Sequence, residues 1–331
     1  MAFSANNGTP VAFGQGAHAS DDRSLFLKQF GGEVLTAFMA QTMTAGKTRE
    51  KTIGAGKSWQ FPRTGASQAG YITRGKELMG NNFATDEVTV TVDAPLVAVH
   101  ELWDLDVLMT HFDIRGPMTA EMGAALARTY DQNVFRSVAI AARTGAMSGI
   151  PNSGGSVLRD ASYVASGAID GIKWMDAIRR AKREHFATKN VPVGTTLYMA
   201  VNHAVFDAIK YAQIGGVYVN LNSMIQLATA GVGAAVTDAI RFEGVVIFAS
   251  NLLPSGNETA AEDVYPKYRA DFSKTTGLLW APDAVASLSL LGVTVETGRD
   301  FRRQEDVLIA KRVNGHGTLR SELAVEFALP A

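Results

Sequence analysis

Apolar and polar residues alternate with a period of two in two stretches of the first third of the chain, residues 56–72 and 86–99. The apolar positions that mark this alternation are Trp59, Phe61, Val88, Val90 and Val92. The pattern predicts two strands, each with one apolar face, joined by a polar turn region at about 73–85. Because an isolated two-stranded hairpin is only marginally stable in water, we expect this hairpin to lie on another surface.

A period of four predicts helices farther along the chain. Pro117 opens a long helical stretch that extends to about Gly145, and at 1.5 Å per residue this helix would reach roughly 40 Å. Its apolar residues are Met118, Met122, Leu126, Tyr130, Val134 and Val138. A second helix is expected over about 170–187, one buried strand over 241–254, and several short strands after Gly277. This mixture of helices and strands predicts an α+β fold.

The stretch LFLKQFGGEVLTAF, residues 25–38, carries large apolar residues at every fourth position. These residues are Phe26, Phe30, Val34 and Phe38. Gly31 and Gly32 interrupt the stretch, and each costs roughly 1 kcal/mol inside a helix, so we predict an extended or broken arm. We expect the arm to bury itself against a neighbouring region of an assembly or against the chain's own outer surface, rather than in a compact core. Residues 1–24 have few large apolar groups and are expected to be mobile or to order on a partner.

Composition narrows the possible functions. The 331 residues can form one large or two ordinary domains, and the absence of cysteine excludes disulfides, thiolate metal sites and cysteine nucleophiles. A net charge of -1 argues against a basic face that grips nucleic acid. Charged residues make up 19% of the chain, which indicates that much of the surface faces other protein, although an ordinary monomer with a polar, uncharged surface accounts for this value equally well. Neither a secretory signal nor a membrane-spanning segment is expected.

No motif in the chain predicts enzymatic chemistry. GAGKS at 54–58 ends like a phosphate-binding loop, but Lys51 stands where that loop requires glycine, and a strand pattern follows where the chemistry needs a helix. The glycines of GQGAHA, 14–19, follow no buried strand. The histidines show no paired ligand spacing, and Asp104 and Asp106 are more typical of a solvated strand end than of a cation site. We therefore predict a protein that is not an enzyme and that has no cofactor and no metal.

Four stretches, in this order and spacing, resemble the major capsid protein of T-seven-like podoviruses, the short-tailed dsDNA bacteriophages. They are LFLKQFGGEVLTAF, GKSWQFPRTGASQAGYITRGKEL, KNVPVGTTLYMAVNHAVFDAI and AKRVNGHGTLRSELA. The resemblance spans nearly the whole chain and is loosest over 213–275. It implies the Hong Kong ninety-seven (Johnson) capsid fold. On this basis the domains are an N-terminal arm at 1–50, an extended E-loop at 51–100, a P-domain with a long spine helix at 101–187 and 286–331, and an A-domain at 188–285.

The resemblance also implies a function and partners. Proteins of this family form hexamers and pentamers that close an icosahedral shell around a dsDNA genome, with weak, non-specific contact to the DNA and no membrane. It implies a separate scaffolding protein, a portal protein, assembly in the host cytoplasm and a place in the virion. It also implies that no covalent cross-link forms at Lys57 or Lys76. The alternative is an encapsulin-like cargo compartment, which shares the fold.

These expectations assign roles to individual residues. The predicted subunit-interface residues are Phe26, Phe30, Val34, Phe38, Trp59, Phe61, Val88, Val90, Val92, Arg299, Arg302 and Arg303. The three arginines belong to the mixed-charge stretch 298–306, which could pair across subunits or form a solvated face. Gly315 and Gly317, which flank His316, are predicted to form a tight turn with positive φ.

Overall fold

The computed structural model describes residues 34–39, 41–64, 71, 74–75, 77, 85–103, 115–146, 152–214, 217–218, 239–300 and 302–330. The chain divides into two compact units. The first unit comprises residues 1–42, 95–128 and 291–313, and the second comprises 43–94, 129–290 and 314–331.

The helices and strands are numbered in chain order. The helices are α1 (Arg115–Arg143), α2 (Gly171–Arg180), which continues as a π-helical turn (Ala181–Phe186), and α3 (His203–Lys210). The strands are β1 (Arg49–Thr52), β2 (Ser58–Thr64), β3 (Thr85–Thr91), β4 (Leu96–Trp103), β5 (Ser156–Arg159), β6 (Leu197–Val201), β7 (Gln213–Ile214), β8 (Val217–Tyr218), β9 (Ala239–Phe242), β10 (Val245–Ala249), β11 (Thr275–Trp280), β12 (Val285–Asp300), β13 (Glu305–Thr318) and β14 (Ala324–Ala328). No helix among the described residues is long and apolar enough to cross a membrane.

The long helix confirms the prediction from the period of four. Helix α1 has 29 residues, begins two residues before Pro117 and ends at Arg143. Its apolar positions become almost completely buried from Met122 onward, because consecutive turns present the same face to the protein interior. Proline is tolerated in the first turn because the amide hydrogen that it lacks has no partner within the helix.

The first unit combines the beginning of α1 with strand β4 and the adjoining part of β13. The two strands pair antiparallel, with Leu96 opposite Arg312 and Trp103 opposite Glu305. Residues 34–39, the described part of the predicted arm, are helical and lie directly on α1. The arm residues that precede residue 34 lie outside the described part of the chain.

The second unit contains a six-stranded sheet in the order β5-β14-β11-β6-β10-β9. Both faces of this sheet are covered. Trp280 of β11 packs edge-on against Phe135 of α1, with ring centroids 6.0 Å apart, whereas Gly277 on the opposite face lies against the Trp174 ring of α2. All six residues of β11 are therefore buried, as is typical of a strand covered on both faces.

The predicted hairpin is present, but its second strand is shorter than expected. Strands β2 and β3 pair antiparallel from Ser58 opposite Thr91 to Thr64 opposite Thr85. The prediction of a single strand over 86–99 is wrong, because β3 ends at Thr91 and β4 begins at Leu96. Pro95, which cannot donate a ladder hydrogen bond, lies between them.

The prediction of one buried strand at 241–254 is also wrong. This segment forms a hairpin of β9 and β10, in which Phe242 pairs with Val245. Glu243 and Gly244 make the turn with φ of 48° and 84°. Two consecutive positive φ values give a two-residue turn whose twist matches that of the flanking strands.

Candidate functional site

Within the second unit, the β2–β3 hairpin packs through one apolar face. Phe61 and Val90 are buried in a cluster with residues of β12 and of the segments that flank it, while Val88 and Val92 are partly buried at its margin. The other buried members of this cluster are Ile53, Ala286, Leu288 and Leu319. The hairpin therefore lies on its own chain, which confirms that the two strands do not stand alone.

One residue of this apolar face remains accessible. Trp59 pairs with Val90 and lies two residues before Phe61, so it belongs to the same face, yet it keeps 42% of its surface exposed. The ammonium group of Lys51 lies 5.0 Å from the centre of the Trp59 ring, a distance at which a cation is attracted to the ring face. Of the predicted hairpin interface residues, Trp59 is the one that keeps a large exposed apolar surface.

Gly315 and Gly317 allow the hairpin to approach β13. A Cβ atom added to Gly315 would lie 2.2 Å from the carbonyl oxygen of Thr91, and one added to Gly317 would lie 3.0 Å from a methyl carbon of Val90. Both glycines belong to β13, and neither has positive φ. The predicted tight turn at these positions is therefore wrong. Glycine is required here because the backbone of β3 crosses β13 too closely for a side chain to fit.

A buried polar network holds the end of the hairpin. The Asp93 carboxylate forms an ion pair with Lys267 and accepts a hydrogen bond from the Tyr268 hydroxyl. That hydroxyl in turn accepts a hydrogen bond from the backbone amide of His316 at 2.9 Å. The Asp93 amide donates to the carbonyl oxygen of Asn314 at 2.9 Å. These contacts connect Asp93, two residues after the end of β3, to two distant segments of the chain.

The His316 imidazole is fully hydrogen-bonded within the same network. Its Nε2 lies 2.8 Å from the Asn314 side-chain amide, and its Nδ1 lies 2.9 Å from the Ser287 hydroxyl. Ser287 continues the network to the Thr48 hydroxyl at 2.9 Å. Because both ring nitrogens have protein partners, His316 serves a structural role at this position.

Burial shifts the pKa values of both members of the Asp93–Lys267 ion pair. Burial raises the pKa of the Asp93 carboxyl above its usual range, and hydrogen bonds from Lys267 and Tyr268 partly offset that rise. Burial also lowers the pKa of the Lys267 ammonium group. Each charge is compensated by the other, so the arrangement resembles a structural ion pair more than an acid–base catalyst. Among the described residues, no group of three or more His, Cys, Asp or Glu side chains could hold a metal ion.

Two predicted arm residues are buried within the chain itself. Val34 is completely buried and Phe38 is 7% exposed. The helical segment that carries them touches α1 at Gly123, where an added Cβ would lie 2.7 Å from the Val34 carbonyl oxygen. The Arg312 guanidinium covers the Phe38 ring at 4.4 Å. The arm thus uses the chain's own surface, one of the two expected alternatives, over its described part.

This burial corrects the interface prediction for four side chains. Val34, Phe38, Phe61 and Val90 are covered by their own chain, so they leave almost no surface for a neighbour. Phe26 and Phe30 lie outside the described residues.

The three predicted interface arginines differ in their partners. Arg299 pairs with Asp306 at 3.1 Å, and Arg303 pairs with Glu305 at 3.4 Å, both within the chain. Arg302 is exposed in the turn between β12 and β13 and forms no ion pair with any described residue. The solvated-face alternative therefore describes Arg299 and Arg303, while the Arg302 side chain remains available to a partner.

An exposed apolar surface on β4 escaped the sequence analysis. Val97, Val99 and Trp103 are each almost half exposed on one face of this strand. The sequence LVAVHELW contains apolar residues at both odd and even positions, so alternation alone does not reveal which face is covered. The sequence contained one signal for this surface, because a strand with apolar residues on both faces needs another element packed against each face.

A family model, two relatives and one solved structure all match this chain to capsid proteins. A family model described as "Gp10A-like: Major capsid protein" matches residues 60–328. The major capsid protein of Escherichia phage T7 is 28% identical over an alignment that covers 94% of this chain and 94% of the phage protein. The major capsid protein of Enterobacteria phage T3 is 28% identical, with 96% of this chain and 95% of the phage protein covered. The capsid structure of Cyanophage P-SCSP1u superimposes with a TM-score of 0.69 at 27% identity, covering 87% of this chain and 88% of that chain.

Proposed function

The chain belongs to the Gp10A-like family of major capsid proteins, and on this premise we propose that its copies form hexamers and pentamers that close an icosahedral shell around a dsDNA genome. It is a structural protein of a phage capsid, with an α+β Hong Kong ninety-seven fold, and many copies of it build the shell. The observation that carries this function is the family match over residues 60–328.

The proposed domains follow the parts of this fold. The arm is 1–50, the E-loop 51–100, the P-domain 101–187 with 286–331, and the A-domain 188–285. The β2–β3 hairpin supports the E-loop assignment, and α1 has the length of a spine helix. Strands β6, β9, β10 and β11 belong to the proposed A-domain and share one sheet with β5 and β14 of the proposed P-domain. Strand β4 crosses the proposed boundary between E-loop and P-domain.

The remaining interface residues are assigned to contacts between subunits. Trp59 has an exposed ring, Arg302 has no ion-pair partner among the described residues, and Phe26 and Phe30 belong to the apolar arm. A shell must combine many weak contacts, because misplaced subunits have to dissociate while the sum of correct contacts holds the particle together. Contacts that involve only a few side chains each suit that requirement.

The proposed partners are a separate scaffolding protein, a portal protein and the packaged DNA. The net charge of -1 supports weak, non-specific contact with DNA, since a strongly basic lumen would impede packaging and release. We place assembly in the host cytoplasm and the finished protein in the virion. The proposed role is structural, without catalysis.

Electron microscopy of the chain expressed with and without the scaffolding protein of its virus tests this proposal. We expect uniform closed shells in the presence of the scaffold and aberrant or few particles in its absence. Uniform small shells that form unaided would contradict the proposal and favour the encapsulin-like compartment. Particles boiled in detergent should migrate as single chains, and a ladder of covalent multimers would contradict the absence of a cross-link.

A further inference from the structure

The strand pair β4–β13 carries apolar side chains on both faces, and the part of the chain that the structure describes covers only one of these faces. On the covered face, Leu308 and Ala310 are buried. On the opposite face, Val99 lies beside Ile309 and Glu101 lies beside Val307. Soluble proteins seldom leave contiguous apolar surface of this kind uncovered unless it binds something.

We name this second face the β4 patch and define it by Val97, Val99, Trp103, Val307 and Ile309. Its three residues on β4 are 46%, 49% and 47% exposed, whereas the two on the neighbouring strand β13 are partly buried. The patch is bordered by charged side chains, among them the ion pair of Lys311 with Glu296. An apolar centre with a polar rim is the usual arrangement of a protein interface.

Two exposed charges of opposite sign lie within or next to this patch, and neither forms an ion pair with any described residue. Glu101 is exposed on the same face of β4 as Val99 and Trp103, and it forms no ion pair with any described residue. Arg302 is exposed in the turn that leads into β13, three residues before Glu305, which pairs with Trp103. A surface that presents one unpaired acid and one unpaired base beside an apolar centre is electrostatically complementary to a second copy of itself.

We propose that the β4 patch is a contact between copies of this chain, in which Glu101 of one copy pairs with Arg302 of another while Val97, Val99 and Trp103 become buried. The inference rests on the proposed function, since it names one of the surfaces through which the shell assembles. It adds Glu101 and the apolar side chains of β4 to the assembly residues.

The size of the patch indicates the kind of contact. A fully exposed aromatic side chain has about 150–250 Å² of surface and a valine has less, so the half-exposed Trp103, Val97 and Val99 together offer less than about 400 Å². A stable isolated pair of proteins buries about 800 Å² on each partner. The patch is too small to hold a dimer together in dilute solution, but it is sufficient for one of several weak contacts that act together in a closed shell.

A charge exchange tests the pairing. Glu101→Arg and Arg302→Glu should each lower the yield of closed shells at least about tenfold, because each places like charges against each other. The double variant should return the yield to within about threefold of the unmodified protein. Glu262→Arg reverses a charge at another exposed glutamate without an ion pair among the described residues, and its yield should match that of the unmodified protein. A double variant no better than the single variants would overturn the pairing.

A second measurement follows burial of the patch directly. Because the chain has no cysteine, Val99→Cys introduces a single reactive thiol. A small thiol reagent should modify it at least about tenfold more slowly in assembled shells than in dissociated subunits. Equal rates in the two states would overturn the proposal while leaving the proposed function intact. Failure of the unmodified protein to form any shell would instead overturn the proposed function.

Discussion

The backbones of Gly315 and Thr91 are in direct contact, so that a Cβ atom on Gly315 would lie 2.2 Å from the Thr91 carbonyl oxygen. The two residues are far apart in the chain, and Asp93 continues the contact through its amide hydrogen bond to Asn314 at 2.9 Å. The end of the hairpin at Thr91 and Asp93 is therefore positioned mainly by contacts between backbone atoms, and side-chain contacts are secondary.

Gly315→Ala should destabilise the subunit by at least about 1–3 kcal/mol, since the added methyl group overlaps backbone atoms that cannot move independently. The free energy of unfolding from denaturant titration measures this effect. Gly292→Ala is the matched control, because Gly292 lies in the neighbouring strand β12 with no atom within 4 Å of an added Cβ. Similar stability of the two variants would contradict the close approach.

Removal of residues 65–84 tests the assembly role of the hairpin. Thr64 and Thr85 pair directly, so a two-residue Asn-Gly turn can join them without disturbing β2 and β3. We expect a folded subunit with a nearly unchanged melting temperature that cannot form stable shells. Circular dichroism and electron microscopy provide the two readouts, and normal particles would show that the deleted segment is dispensable.

Arg143 and Glu326 form an ion pair that should be costly to break, because its acid is completely buried while its base is partly exposed. Glu326 is completely buried in β14 and receives two hydrogen bonds of 2.6 Å from the Arg143 guanidinium. Arg143→Ala leaves this carboxylate without its counterion and should lower the free energy of unfolding by about 3–5 kcal/mol.

Arg128→Ala provides a comparison on the same helix. Arg128 pairs with Glu121 on the surface, where such pairs contribute about 0–1 kcal/mol. Denaturant unfolding of both variants should separate them clearly. Equal losses of stability would indicate that burial of Glu326 has no energetic consequence.

Stability should decrease when the pH falls below about 6.5, because His185 is buried as a neutral imidazole. Its Nε2 lies 2.8 Å from the Glu322 carbonyl oxygen and its Nδ1 lies 2.6 Å from the Ser156 hydroxyl. Burial lowers the pKa of His185 to about 4 from its usual value of 6.5. Between these two values the unfolded chain binds a proton that the folded chain does not, so acid favours unfolding by about 1.4 kcal/mol per pH unit.

His185→Gln should remove this part of the pH dependence. The free energy of unfolding, measured at pH 7 and pH 4.5, should change by about 2–3 kcal/mol less in the variant than in the unmodified protein. His203→Gln, at an exposed histidine that begins α3, serves as the control. An unchanged pH dependence in His185→Gln would contradict a neutral buried imidazole.

The two halves of the arm should respond differently to the same substitution. Phe38→Asp places a charge in the buried contact with α1 and should destabilise the isolated subunit by about 3 kcal/mol or more. Phe30→Asp should prevent or misdirect assembly while leaving circular dichroism and melting of the subunit almost unchanged. If Phe30→Asp unfolds the subunit, that residue belongs to an ordinary core.

The sequence by itself determined the elements whose pattern is local. Residues four apart lie on one helix face and residues two apart lie on one strand face, so α1 and the β2–β3 hairpin could be predicted from spacing alone. The motifs of the arm, hairpin and C-terminal tail were sufficient to identify the family. None of these conclusions required knowing which distant segments meet.

Features that depend on contacts between distant segments could be determined only from the tertiary structure. Gly315 looks like a turn residue in isolation, and only the approach of Thr91 explains why it must lack a side chain. Val34 and Phe38 could have contacted a neighbouring subunit. Instead, their helical segment packs on its own chain at Gly123, where the lack of a side chain allows the close approach. Val99 and Leu308 are both apolar, and which of them is buried depends on the packing around β4 and β13. Burial is a property of the surrounding atoms, and local periodicity describes only the side of an element on which a residue lies.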